Sequence, residues 1–464
     1  MQITFHGAAG GFVTGSCHRM SINGQDYLVD CGMFQGSKKA EDLNWKGFDF
    51  DVTRIKYLFL THAHLDHVGR LPLLVKAGFK GTIISTDATR DLTRLVLLDA
   101  AKLHKEAVKH GRVKVNGQKV DTPLFTTEDV EKVMELFKPH EYGNVYNLDA
   151  NILRFRLREA GHILGSAIFE FWVKDDGQAE KKLVFSGDLG QRGARIIRDP
   201  DYIRTADYVM VETTYGGRLH KDKASTVLEF LEILNDVQKH QTIAMVPVFA
   251  LERSQEILYE LNLLFERKIL SPSMRVYLDS PMAIEATRIF EKYRKYYDED
   301  AQALIRDNDE IFRFNGLIFT EKVEQSKKIK DAKNAVILAG SGMMTGGRIL
   351  HHLINFGPNP DAHIIFVGYQ VPGTLGRMLV DGKRRVKIYG KTVNIRAKIH
   401  TLGGFSAHAD QFDLLYWLRG FGRSVKKVFL IHGEDDQRQV FATKVISDLG
   451  LPVEMPKLGE TVEI

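Results

Sequence analysis

Apolar and β-branched residues recur along this chain in short runs, and each run stops at a polar or glycine-rich turn. YLVDCG (27–32), YLFLTHAH (57–64), LVFSGDLG (183–190), YVMVETTYG (208–216) and VFLIHGE (428–434) share this form. Such a run reads as a buried strand whose last residue delivers a side chain into a cleft. Chemistry should therefore collect at these strand ends. From about residue 226, strands and helices alternate regularly. STVLEFLEILNDVQKH, ERSQEILYELNLLFERK and MAIEATRIFEKYRKYY predict amphipathic helices, with TIAMVPVF and RVYLDS as the strands between them. After a more polar stretch (298–334), the strand AVILAGSG, a short helix around GRILHHLINF and the strand HIIFVGYQ continue the series. This alternation predicts a parallel sheet with helices on both faces.

The first 200 residues carry more antiparallel signals, including Asn-Gly turns in HRMSINGQDYLVDCG and RVKVNGQKV. The two regions read as different domains. The joins should be rigid, because there is no internal repeat, low-complexity tract or Gly/Ser linker.

Composition narrows the class without fixing it. A chain of 464 residues, 44 % apolar and 27 % charged, has room for a substantial core and reads as ordered nearly throughout. The start, MQITFHGAAGGFVTGS, lacks the basic-then-apolar pattern of a secretory signal. No window approaches the ~18 uninterrupted apolar residues of a membrane span. A cytoplasmic protein without membrane contact is expected. Two cysteines, Cys17 and Cys31, are too few for a disulfide framework and read as small buried residues. The net charge of +5 is compatible with an acidic partner such as a nucleic acid. The densest basic run, KRRVKIYGKTVNIRAK (383–398), fits either a solvated strand pair or a phosphate-tracking surface.

Candidate chemistry is concentrated at THAHLDHVG (61–69). His62 and His64 follow a strand, and Asp66 and His67 open an apparent helix, LDHVGRLPLLVKAG. Imidazole and carboxylate at this density suit zinc or a similar divalent ion and would fill a core poorly. His162 and His432, each taken singly, could be ordinary loop histidines. His408, in GGFSAHAD (403–410), is open to three readings: metal ligand, proton donor or packed core residue.

The HxHxDH cluster resembles the signature of the metallo-β-lactamase superfamily. Asp30 in LVDCG matches the aspartate that supports the histidine loop, His162 in EAGHILGSA the third histidine, Asp188 in VFSGDLG the bridging carboxylate, and His432 in FLIHGE the last histidine. The resemblance implies two zinc ions, with His62, His64 and His162 on one, Asp66, His67 and His432 on the other, and Asp188 shared. Two such cations lower the pKa of a water between them and hold both oxygens of an in-line phosphoryl displacement. Asp66 is therefore also a catalytic candidate.

More than 240 residues separate Asp188 from His432, and this insertion looks like a β-CASP domain, the hallmark of nucleic-acid-processing members. VETTYGGRLH with Glu212, GGFSAHAD with His408 and FLIHGE with His432 resemble its three motifs in order. The implied fold is an α/β metallo-β-lactamase αββα sandwich (1–208 and 391–464) with an inserted β-CASP domain (209–390). Histidine in the third motif is similar to RNA-processing members, whereas DNA-repair members typically carry valine. Within that branch the chain is similar to the nuclease subunit of the cleavage and polyadenylation specificity factor and its compact prokaryotic relatives. The chain is expected to be similar to the minimal form, with no KH module before MQITFHG and no further domain after KLGETVEI; the second expectation departs from RNase J, which has an additional carboxyl-terminal domain, and favours endonucleolytic cleavage over 5′ exonuclease action. Two glycine-rich turns, GSGMMTGGR (340–348) and GYQVPGTLGR (368–377), are either plain strand-to-helix turns or phosphate sites. The family likeness raises Ser341 and Arg377, with Thr374 nearby, as RNA contacts.

The resulting expectation is a zinc-dependent ribonuclease acting on single-stranded RNA, with His408, steered by Glu212, protonating the leaving oxygen. A homodimer is compatible with the sequence. A small-molecule metallo-hydrolase is the main rival, although it would leave the insertion without a purpose.

Overall fold

In the computed structural model, which describes residues 1–464 except 116, 150, 151, 176, 307–309 and 372, the apolar runs become strands at the expected places. The chain divides into two compact units. The first comprises Met1–Ala194, Arg198–Leu219 and His408–Ile464; the second comprises Arg195–Ile197 and His220–Ala407.

The first unit is built on two seven-stranded sheets. One runs in the order Thr461–Glu463, Gln2–Phe5, His18–Ile22, Gln25–Val29, Ile55–Phe59, Thr82–Ser85, Phe137–Pro139. The hairpin of His18–Ile22 with Gln25–Val29 is closed by Asn23 and Gly24, both at positive φ (49° and 74°). This is the two-residue turn that Asn-Gly favours, since glycine enters that region without steric cost. In the second Asn-Gly segment, Lys114–Val115 pairs with Gln118–Lys119, and Asn116 lies outside the described residues. From Gln25–Val29 onward this sheet is parallel, which the antiparallel reading of the region did not foresee. Parallel pairing needs crossovers, and the helix Asp87–Lys109 supplies one. Thr86 caps it by accepting from Thr89 N, and Leu92, Val96 and Leu97 are buried along one stripe.

The other sheet runs in the order Val453–Glu454, Lys427–Ile431, Tyr208–Glu212, Lys181–Phe185, Ala167–Val173, Leu153–Glu159, Tyr146–Leu148. Tyr208–Glu212 pairs in parallel with Lys427–Ile431, placing Glu212 opposite Ile431. A shared apolar layer, with Phe5, Phe59, Phe155, Phe169, Phe171 and Phe185 among its members, joins the two sheets. The Phe59 and Phe171 rings meet edge-to-face at 4.7 Å, a geometry worth about 0.5–1.5 kcal/mol beyond area burial. Behind the second sheet, Leu414, Trp417 and Leu418 of Gln411–Arg419 and Phe441 and Val445 of Asp435–Leu449 pack on Val209, Val211 and Leu430. The result is the αββα layering.

The second unit is a six-stranded sheet, Leu317–Phe319, Arg275–Leu278, Ala335–Ala339, Ile243–Pro247, His363–Phe366, Lys398–Thr401, with every pair parallel. Ile243–Pro247 and Ala335–Ala339 are buried at every position, as strands covered on both faces are. Lys223–His240, Arg253–Glu266, Pro281–Lys292 and Ile349–Phe356 are the predicted helices. The basic run 383–398 forms the antiparallel pair Arg385–Ile388 and Lys391–Asn394, with Val386, Ile388 and Val393 inward and Arg385, Lys387 and Lys391 exposed. At the end of Arg275–Leu278, buried Asp279 accepts hydrogen bonds from Thr320 Oγ1 (2.6 Å), Ser326 Oγ (2.6 Å) and Arg348 Nη1 (2.7 Å), and lies 2.6 Å from His352 Nε2. Burial opposes its charge, but these donors hold its carboxyl down at about 2.

The apparent helix LDHVGRLPLLVKAG is two short helices, Leu65–Val68 and Leu71–Lys76. Pro72 sits in the first turn of the second, where its missing N–H costs nothing and its ring prevents continuation from the first. Among the described residues no helix is long and apolar enough to cross a membrane.

Candidate metal centre

All seven side chains assigned as ligands lie in the first unit, at strand ends and in the loop after Ile55–Phe59. The chain doubles back tightly there. A Cβ at Gly32 would stand 1.5 Å from Asp66 O, so only glycine lets the Leu65–Val68 turn lie on the end of Gln25–Val29. Backbone bonds lock the contact: Ser16 N donates to Asp66 O (2.9 Å), Cys31 N to His67 O (2.9 Å) and Gly32 N to Ser16 O (2.8 Å).

The donor atoms fall into groups. His62, His64, His162 and Asp188 offer ligand atoms within 4.8 Å of one another, and so do Asp66, His67 and His432. Asp188 links them, with Oδ2 3.5 Å from His62 Nε2 and 3.6 Å from His162 Nε2, and Oδ1 3.4 Å from His67 Nε2 and 3.6 Å from His432 Nε2. Asp66 Oδ2 is 3.3 Å from His432 Nε2. His432 adopts positive φ (52°) and is anchored by His432 N donating to Ala8 O at 2.7 Å.

Three observations fit this set to divalent cations. His64 Nδ1 faces both His62 Nε2 (3.1 Å) and His162 Nε2 (3.0 Å), and His67 Nε2 faces His432 Nε2 (3.1 Å). One proton on His64 Nδ1 cannot serve two neighbours equally, whereas tetrahedral ligands of one zinc ion stand about 3.3 Å apart. Secondly, Asp188 Oδ1 is buried and makes no hydrogen bond among the described residues, an unfavourable state for a carboxylate oxygen that a cation corrects. Thirdly, Asp30, Asp66, Asp188 and Glu212 converge with no lysine or arginine paired to any of them among the described residues. The balancing charge then falls to His67 and His432, since burial first of all disfavours the charged forms of His62 and His64. Burial disfavours protonated His67, yet Asp188 and Asp30 raise its pKa well above the usual histidine value. His432 is likewise raised by Asp188 and Asp66 against its burial. Cations would replace these protons.

Asp30, at positive φ (60°) on the end of its strand, organises the loop. Its carboxylate lies 2.7 Å from His67 Nδ1 and accepts from Thr61 N (2.8 Å) and Thr61 Oγ1 (2.9 and 3.0 Å). Holding the Nδ1 proton aims Nε2 at Asp188. Asp30→Ala is expected to weaken metal retention about 10–100-fold, measured by competition with a chromogenic chelator. Thr61 also contacts His62 Nδ1 (3.1 Å), and Thr214 Oγ1 contacts His432 Nδ1 (3.1 Å). Sequence reasoning missed both threonines; their only signal is position, one directly before HxH and one two residues after Glu212.

His408 stands beside this set with its side chain 21 % exposed. Its Nδ1 is 3.1 Å from Glu212 Oε1 and 3.9 Å from Asp188 Oδ2, and its ring packs on His162 with centroids 4.5 Å apart. Glu212 is buried and fixed, Oε1 accepting from Leu189 N (2.8 Å) and Oε2 from Thr214 N (3.2 Å). Burial would lower the His408 pKa, but Glu212, then Asp188 and Asp66, push it up to about 9. Asp188, Glu212 and His408 also form a third group with ligand atoms within 4.8 Å.

Ser341, Thr374 and Arg377 lie in the second unit and have local partners. Ser341 Oγ accepts from Thr345 N (2.8 Å) and Gly346 N (3.2 Å). Thr374 caps Leu375–Val380 by accepting from Arg377 N (3.2 Å), and Arg377 Nε donates to Asp381 (2.9 Å). The two glycine-rich turns are brought together by Gly376 N donating to Met343 O (3.1 Å) and Gln370 Nε2 donating to Gly342 O (3.0 Å). Pro372 of the second turn is outside the described residues.

Comparison with known proteins agrees with the architecture. Residues 10–236 match the metallo-beta-lactamase superfamily, 254–379 the Beta-Casp domain and 392–456 the Zn-dependent metallo-hydrolase RNA specificity domain. The chain is 40 % identical to Ribonuclease TTHA0252 of Thermus thermophilus over the full length of both proteins. It is 29 % identical to Transcription termination factor FttA of Cenarchaeum symbiosum, covering 98 % of this chain and 70 % of that protein. It is 30 % identical to FttA of Methanosarcina mazei, covering 97 % and 69 %. A crystal structure of a protein of unknown function from Enterococcus faecalis V583 shares the fold at a TM-score of 0.55 and 11 % identity, covering 100 % of this chain and 99 % of that one. The chain is therefore a member of the metallo-β-lactamase superfamily, in its β-CASP family.

Proposed function

We propose that this protein is a ribonuclease that hydrolyses phosphodiester bonds within single-stranded RNA, using two zinc ions. The observation that carries the reading is the position of His408, bound to the fixed carboxylate of Glu212 and 3.9 Å from the shared donor Asp188. Likeness to a relative named as a ribonuclease and to an RNA specificity domain supports RNA as the substrate.

His62, His64 and His162 would hold one ion and Asp66, His67 and His432 the other, with Asp188 common to both. When bound, zinc would supply positive charge beside the phosphate and lower the pKa of water so that hydroxide is available near neutral pH. The remaining work belongs to the protein. Asp30 keeps His67 in one tautomer. Glu212, unable to rotate because both its oxygens accept backbone N–H groups, holds His408 by Nδ1. His408, held in this way, would pass a proton to the departing oxygen. A small-molecule hydrolase would share the ligands but gives no reason for a second unit of this size.

A circular, unstructured RNA separates internal from terminal attack because it has no 5′ end. Linear products from the circle are the expected result. A circle left intact while the linearised RNA is degraded to mononucleotides would replace the endonuclease reading with 5′ exonuclease action.

A further inference from the structure

The first unit leaves a group of large rings in solvent. In Gln411–Arg419, Leu414, Trp417 and Leu418 are buried, whereas Phe412 and Tyr416, one turn apart, are 58 % and 38 % exposed. Tyr202, 42 % exposed, meets Tyr416 edge-to-face at 5.2 Å. Arg192 completes the group, its guanidinium carbon 3.9 Å from the Tyr416 ring centre and 5.3 Å from that of Phe412. The salt bridge of Arg192 Nε to Asp413 Oδ1 at 2.8 Å holds it there. A single exposed ring is ordinary, but three rings arranged around one arginine form a contiguous surface, and such surfaces mark binding.

This surface is tied to the candidate centre through the backbone. Ala409 N donates to Leu189 O (2.7 Å), and Leu189 N donates to Glu212 Oε1 (2.8 Å). Arg192 lies four residues after Asp188 and Phe412 four after His408, and four residues span at most about 14 Å. A small hollow lined by Leu189, Gly190, Arg192, Tyr202, Ala409 and Asp413 adjoins the aromatic surface.

We propose that Phe412, Tyr416, Tyr202 and Arg192 form a platform on which one unpaired RNA base stacks beside the bond to be cut. The proposal rests on the ribonuclease reading and assigns part of its substrate site. Rings pre-packed against an arginine lose little freedom on binding, and a π-face with a cation beside it suits any base. A base stacked inside a duplex has no open face to offer, so the platform adds preference for single strands.

The test compares steady-state cleavage of an unstructured RNA with copies carrying one abasic residue at successive positions around the cut, using zinc-loaded wild type and the double variant Phe412→Ala/Tyr416→Ala. Both side chains are exposed, so the variant should fold, which circular dichroism checks. For wild type, one abasic position should raise KM about tenfold. The variant should raise KM for intact RNA by a similar factor and no longer distinguish the abasic copy. Equal losses on intact and abasic RNA, or an unchanged KM, would overturn the platform. So would dissociation of a dimer by the substitutions with RNA kinetics unaltered, which would assign the face to a second copy of the chain. If wild type leaves RNA uncut, the ribonuclease reading falls and the platform with it; if wild type cuts and the variant matches it, the platform alone falls.

Discussion

His408→Ala is expected to lower RNA cleavage about 10²–10⁴-fold while zinc content stays at the wild-type level. The range is that of a positioned general acid, equivalent to about 2.7–5.4 kcal/mol of barrier. The side chain is partly exposed and packs on one face of His162, so its removal leaves the seven assigned ligands in place. The third donor group, Asp188, Glu212 and His408, makes metal content the decisive second readout. Loss of zinc together with activity would make His408 a ligand and place the acid elsewhere. A substrate with a leaving group that needs no proton should recover most of the lost rate in this variant, and one equally slow on both substrates would contradict an acid role.

Asp188→Asn is expected to cost about 10³-fold or more in cleavage and to leave less than the full complement of zinc. Asparagine preserves volume and one acceptor oxygen but removes the charge. The two oxygens of Asp188 stand within 3.6 Å of imidazole nitrogens from both donor groups, so one substitution weakens both. Lewis-acid stabilisation by a bound ion is worth several kcal/mol, which sets the magnitude. Elemental analysis of purified protein and single-turnover cleavage measure the two effects. Full zinc content with full activity would remove Asp188 from the centre.

What could be read in the sequence was what is local. Four donors within residues 62–67 announce a metal loop because so many polar groups in six residues have no ordinary structural use. The strands of the second unit were equally legible, since continuous apolar runs separated by amphipathic segments leave few alternatives. Relations across the chain were harder. His67 and His432 are 365 positions apart, yet their ring nitrogens stand 3.1 Å apart, and only the family resemblance joined them. The parallel half of the first sheet went unread because its strands are short and the crossover helix Asp87–Lys109 mixes charged with apolar positions. LDHVGRLPLLVKAG reads as one helix because its periodicity survives the break at Gly69 and Arg70. Thr61 and Thr214 were invisible, since a hydroxyl shows its function only by the ring it touches.

The central claim, a two-zinc ribonuclease centre, is tested most directly by removing metal with a chelator, dialysing the chelator away and titrating zinc back while following cleavage of single-stranded RNA. Asp188 stands between two donor groups, so cleavage should remain low through the first equivalent and rise with the second. Full activity at one equivalent would contradict a dinuclear site, and RNA left intact at two would contradict the ribonuclease itself.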